Sequence, residues 1–395
     1  MTNPRQYQVY ISMAARAMTL ALVMLLAATE SAQAQTFKVL YSFEGSIFSQ
    51  GQFPYGNLLL DTAGNLYGTT YSGGPSDFGL VFEVNSSGES ALFTFAGGTS
   101  DGAYPFAGLV EDNAGNFYGT TTAGGSSGLG TVFTGDSIGR NSVLYNFAGR
   151  TDGAYPYGGL ILDAAGSLYG TTAEGGSGLG TIFKLEKSGA KTILHKFAGG
   201  PSDGQYPLYT SLIMDKAGNL YGVTEEGGTS GQGVVYELSK NGTFTVLHSF
   251  AGGKTDGCLP FGTPFMDTTG NLYGTTYSCG TSDEGIVWRV SKNRTETVLH
   301  NFAGGKKDGA QPFAGVVGDT NGNVYGNTQT GGASNLGTVY ELNAKGKITV
   351  LHSFAGSDGE YPFGGLVRDA KGNLYGTTVD GGSSGVYGTV WQITK

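Results

Sequence analysis

A tyrosine in the phrase Tyr-Gly-Thr-Thr, or a near variant of it, stands at 67, 118, 169, 221, 273, 325 and 375, at intervals of 50 to 52 residues. A repeat of this length limits the fold more than any motif inside it, because each copy is one supersecondary unit that must bury its apolar face on a neighbour. Seven copies occupy the chain from Thr36 to Lys395 and leave no stretch for a second domain or linker. The 71 glycines recur at this period, as they would not in low-complexity sequence, and 39% hydrophobic residues supply a core.

Within the second copy, Gly108–Asp112, Asn116–Thr121, Gly130–Phe133 and Ser142–Phe147 read as strands. They are short, rich in Val, Thr, Tyr and Phe, and bounded by Gly, Asn and Asp. The first two are joined by an Asp-x-x-Gly turn, with its aspartate at 61, 112, 163, 215, 267, 319 and 369 across the copies. Aspartate accepts from the backbone two residues on and glycine takes the positive φ, so these seven aspartates read as turn formers. Four antiparallel strands repeated seven times predict an all-β fold, a seven-bladed β-propeller of four-stranded antiparallel blades. A β-solenoid is the competing fold, but its parallel coils need no hairpin in every repeat. The chain ends after a third-type strand, Gly388–Ile393, while Thr36–Phe43 matches the fourth-type strands 245–250 and 297–302. The N-terminal strand is therefore expected to join the C-terminal blade and close the ring, which covers an otherwise open edge. An aromatic in every third strand (Phe82, Phe133, Phe183, Tyr236, Trp288, Tyr340, Trp391) is expected to pack between blades.

Residues 1–34 read as a secretory signal peptide: Arg5 and Arg16 precede the apolar run Met18–Ala28, and Ala32-Gln33-Ala34 offers a cleavage site. The run is too short to span a bilayer. Residues 35–395 are expected to form one propeller domain, secreted or periplasmic, monomeric, and without a membrane span. Loss of Arg5, Arg16 and Glu30 leaves 20 basic and 30 acidic residues, a net charge of −10 that disfavours nucleic-acid and anionic-membrane partners.

The segments GTIFKL (180–185), VLHSFAGGKTDG (246–257) and GGLVRDAKGNLYGTTVDGG (364–382) resemble the GloVer tandem repeat of exported bacterial proteins, and the resemblance runs from Thr36 to Lys395. It implies an extracytoplasmic propeller-like repeat protein and no particular activity. Members with C-terminal anchors have a tail after the last strand that is not found here, so surface attachment is not implied. Gly pairs after the second strand give a weaker likeness to kelch propellers, at the level of fold.

Few residues offer chemistry. His195, His248, His300 and His352 occupy one place in four separate outer strands, where other copies carry Tyr41, Phe93 and Tyr145. They read as a structural aromatic-like position rather than one metal set. Gly252–Thr255 hints at a phosphate loop, but His248 stands where the first glycine of that motif belongs. Glu225 and Glu226 are adjacent on a loop and read as solvated charge. Cys258 and Cys279, the two cysteines of the chain, both depart from the repeat in the fifth copy and on one face, so they are expected to form a disulfide.

That same face repeats an Asp-Gly at Asp101, Asp152, Asp203, Asp256, Asp308 and Asp358, followed by aromatics around a proline, among them Tyr104, Tyr155, Tyr206 and Tyr361. These residues are the ligand-binding candidates. Proline is expected to keep its predecessor extended, giving the loops similar shapes. No catalytic residue, metal ligand or cofactor is assigned, and a structural or bound divalent cation is left open. Near-identical blades favour a non-catalytic propeller that binds an extracellular protein or glycan by this loop face. A metal-assisted lyase or hydrolase acting on a polysaccharide or lactone would need unlike acids on the inner strands, where Glu111 and Arg368 alone stand out. A purely structural repeat is the third reading.

Overall fold

The computed structural model describes residues 35–45 and 50–395; the expected leader lies outside them. Seven four-stranded antiparallel sheets follow one another along the chain. Blade 1 comprises Leu59–Leu60, Leu66–Thr70, Leu80–Asn85 and Gly88–Thr94, from the axis outward. Blade 7 comprises Val367–Arg368, Leu374–Thr378, Thr389–Thr394 and, as its outermost strand, Thr36–Ser42. The N-terminal strand thus closes the ring as its sequence predicts, and Phe43 N–H donates to the Gly388 carbonyl at 3.0 Å.

The core is divided among the blade junctions. Phe43, Val390, Leu66 and Phe82 form the cluster between blades 7 and 1, and six further clusters fill the other junctions. The third-strand aromatics supply each cluster's centre and are at most 1% exposed. Their space is made by the glycine of Tyr-Gly-Thr-Thr: a Cβ at Gly274 would lie 2.4 Å from the Trp288 ring. Each fully buried ring contributes roughly 2–3 kcal/mol of apolar burial. In six blades a bulge at this aromatic interrupts pairing with the outermost strand, as between Val81 and Phe82. Bulges at outer strands blunt an edge that would otherwise pair with other chains.

Hydroxyls join the blades. The first threonine of the phrase donates across a junction, as Thr69 Oγ1 to the Ala107 carbonyl at 2.8 Å and Thr275 Oγ1 to that of Ala314 at 2.7 Å. Blade 4 has Val223 at this place, and there Thr210 Oγ1 reaches the blade 5 carbonyl of Gly262 at 3.1 Å instead.

The seven turn aspartates behave alike. Each Oδ1 accepts from the backbone N–H groups two and four residues on, and each Oδ2 accepts from the hydroxyl of the tyrosine six residues on, as in Asp267 with Thr269, Asn271 and Tyr273. Burial would raise the Asp112 and Asp267 carboxyls, but hydrogen bonds from Asn116, and from Thr269 and Asn271, outweigh it and bring both down to about 2. These turns lie on one face of the ring, and the candidate loops lie on the other.

Candidate functional site

On the loop face, each blade opens with a small ribbon that pairs the Asp-Gly segment with the residues after the second strand, as Gly102–Ala103 with Ala123–Gly124. The glycine of Asp-Gly rests on the second threonine of the phrase: a Cβ at Gly309 would lie 2.3 Å from Thr328. The aspartates face their own loops. Asp101 accepts from Ala96 N–H and Gly102 N–H, and Asp203, Asp256 and Asp308 accept from the equivalent pairs. Asp152 accepts from Ala148 N–H and the Tyr145 hydroxyl, and Asp358 from Ala355 N–H. His195, His300 and His352 sit within 3.1, 3.1 and 2.9 Å of Asp203, Asp308 and Asp358. The histidine column therefore has a polar partner as well as an aromatic shape.

The residue before each proline is not extended. Phe53, Tyr104, Tyr155, Tyr206, Leu259, Gln311 and Tyr361 have φ between +54° and +58°. The local preference is overridden because both backbone groups are engaged elsewhere. Tyr104 N–H donates to Phe78 of the preceding blade at 2.9 Å, and its carbonyl accepts from Thr122 at 3.1 Å. The same pair of bonds forms at all seven positions. Each proline then packs on the glycine before the preceding blade's third strand, with a Cβ at Gly130 falling 2.7 Å from Pro156 Cδ. Tyr104, Tyr155, Tyr206 and Tyr361 are half-buried in this staple.

After the proline, seven rings point at the axis: Tyr55, Phe106, Tyr157, Tyr209, Phe261, Phe313 and Phe363. Neighbouring rings stack, with Tyr55 on Phe106 at 4.6 Å and Phe261 on Phe313 at 4.6 Å. Rings of non-adjacent blades also meet, Phe106 with Tyr209 at 4.9 Å and with Phe363 at 5.4 Å. The collar thus constricts the axial channel. A cavity of about 560 Å³ is bounded by these rings and by inner-strand residues such as Val110, Ile161, Phe265 and Val367. Among the described residues, no carboxylate, imidazole, lysine or arginine lines it. Glu111 and Arg368 lie on the inner strands outside that lining.

Burial pushes up the hydroxyls of Tyr55, Tyr157 and Tyr209, and the charges of Asp380, Glu174 and Glu225 add to the same effect. Burial, with the charge of Glu226, also raises Glu225. Glu226 itself is held by Gln205 across the ribbon at 2.5 Å. On the blade 1 side, Tyr71 stacks on Tyr104 at 4.9 Å, and Tyr277 approaches Phe261 and Phe313 at 6.0 Å on the blade 5 side. Cys258 and Cys279 form a disulfide across the blade 5 ribbon, with Cα atoms 5.4 Å apart. The mouth thus combines ring faces with hydroxyl and carboxylate groups.

The sequence candidates missed Tyr209, Tyr71, Tyr277, Glu174 and Asp380. Tyr209 follows its proline by two residues where the other rings follow by one, and the extra residue shows as the 52-residue step from Tyr169 to Tyr221. The others occupy two adjacent columns after the second strand that vary from blade to blade, so repetition does not mark them.

The sequence model of the Gloeobacter/Verrucomicrobia repeat matches residues 28–212, 90–278 and 208–395. No curated protein sequence matches the chain. Among solved structures, the extracellular domain of a protein assigned as a one-component system from B. thetaiotaomicron superposes with a TM-score of 0.57 at 12% identity, over 91% of this chain. This chain spans 40% of that structure's length. A gluconolactonase from Xanthomonas campestris matches with a TM-score of 0.44 at 13% identity, covering 90% of this chain and 99% of its own. At such identities the first likeness is one of fold, and the second supports nothing further.

Proposed function

The chain belongs to the Gloeobacter/Verrucomicrobia repeat family, and we propose that it is a non-catalytic binding propeller that takes a glycan at the mouth of its axial channel. The observation that carries this reading is the collar of seven rings with Tyr71 and Tyr277 around it and carboxylates beside three of its hydroxyls. Sugar rings present apolar faces that stack on aromatics and hydroxyls that bond to carboxylates, so this mixture suits them. Binding in preference to turnover is supported by the cavity lining, which offers apolar side chains and backbone where acid–base work needs titratable groups in reach. The apolar run Met18–Ala28 with its small-residue site supports export to where such ligands occur. A glycan array probed with and without EDTA tests the reading. Retention of a glycan class in both conditions is expected; metal-dependent turnover, or silence across the array, would contradict it.

A further inference from the structure

We propose that the outer rim between blades 4 and 5 is a divalent-cation site held by His248, Asp256 and Glu296. The three ligand atoms lie within 4.8 Å of one another. His248 belongs to the outermost strand of blade 4, Asp256 to the loop that leaves it, and Glu296 begins the outermost strand of blade 5.

The other junctions show what this place requires. The first residue of each outermost strand lies against the histidine column of the preceding blade. Phe244 stacks on His195 at 4.1 Å and Phe37 on His352 at 3.6 Å. Between blades 2 and 3 the same place holds a cation. Lys191, paired opposite Leu185 as Glu296 is opposite Val290, has a side chain only 4% exposed. Its ammonium lies 2.7 Å from Asp152 Oδ1 and 4.8 Å from the centre of the Tyr145 ring. Asp152 is the counterpart of Asp256, and Tyr145 that of His248.

Between blades 4 and 5 the ammonium is replaced by a second carboxylate. No lysine or arginine among the described residues forms an ion pair with Asp256 or Glu296. Glu296 Oε1 and His248 Nε2 are both sealed from solvent without a hydrogen-bond partner. His248 is the exception in its column: it lies 3.3 Å from Asp256 Oδ2 without hydrogen-bond geometry, whereas the other three histidines bond to their aspartates. Buried carboxylate and imidazole atoms left unpaired are costly, and a cation in the position of the Lys191 ammonium satisfies all three groups. One nitrogen and two carboxylate oxygens suit zinc or manganese, with water completing the shell, better than an all-oxygen calcium site. Bound there, the ion ties adjacent blades through residues that unfolding separates, so occupancy raises stability by mass action.

The test uses the purified chain stripped with EDTA, titrated with zinc chloride or manganese chloride by calorimetry and followed by thermal melting. One ion per chain and a higher melting temperature are expected. Glu296→Lys, which restores the ammonium found between blades 2 and 3, should melt above the stripped wild type and lose the metal response. Glu296→Gln should weaken binding at least tenfold. Absence of saturable binding of either ion by the wild type overturns the proposal, as does wild-type affinity in both variants. A melting temperature that responds to pH but not to metal would assign the cluster to a shared proton and overturn it equally.

Discussion

The two faces of the ring are built from the same repeat and end differently. On the face of the Asp-x-x-Gly turns, all seven aspartates make the same three contacts, and the tyrosine of the repeat phrase is consumed in holding them. On the loop face, the backbone staple at the prolines is equally uniform, but the side chains projecting beyond it are not. The column after the second strand reads Tyr71, Thr122, Ala173, Glu225, Tyr277, Gln329 and Val379. Uniform, satisfied networks add stability seven times over; columns free to vary are those the fold does not need, and recognition has room there.

The largest expected effect removes what both faces depend on. Deleting Thr36–Phe43 opens blade 7 and strips Phe43 and Phe37 from two junction clusters, so stability should fall by more than about 5 kcal/mol. A chemical denaturation series checks this, and an unchanged midpoint would contradict the closure. Next comes a single turn: Asp267→Ala leaves two backbone N–H groups and the Tyr273 hydroxyl without their acceptor, at roughly 2 kcal/mol, with glycan retention unchanged. Equal losses of binding and stability would erase the distinction between the faces. Smaller per residue is the effect of acid. Because the folded Asp112 and Asp267 carboxyls titrate near 2, below the ordinary value of about 4, their contribution is complete above pH 4 and fades as pH falls toward 2. Melting temperature should therefore be flat in this respect above pH 5 and drop below 4; a rise on acidification would reverse the sign.

Much of this architecture was legible because its signals are local and repeated. The aspartate turns and short β-branched strands state their conformations within a few residues, and the strand missing at one end appears at the other. Cys258 and Cys279 were legible as two simultaneous departures from an otherwise regular copy. The conformation before each proline was not, since hydrogen bonds to the preceding blade and across the ribbon outweigh the dipeptide preference. The contact between His248 and Glu296 was hidden for a related reason. It joins residues 48 apart across a junction, and only aligning the copies column by column, with Lys191 standing where Glu296 does, brings it out.

The division between scaffold and recognition is tested most directly by the double variant Tyr71→Ala with Tyr277→Ala, assayed on the glycan array beside its melting curve. Blade 3 already carries Ala173 at this place, so the fold tolerates the change. The account predicts a melting temperature within about 2 °C of the wild type, as for most surface substitutions, with glycan retention lost or reduced at least tenfold. Undiminished retention by a folded variant would contradict it.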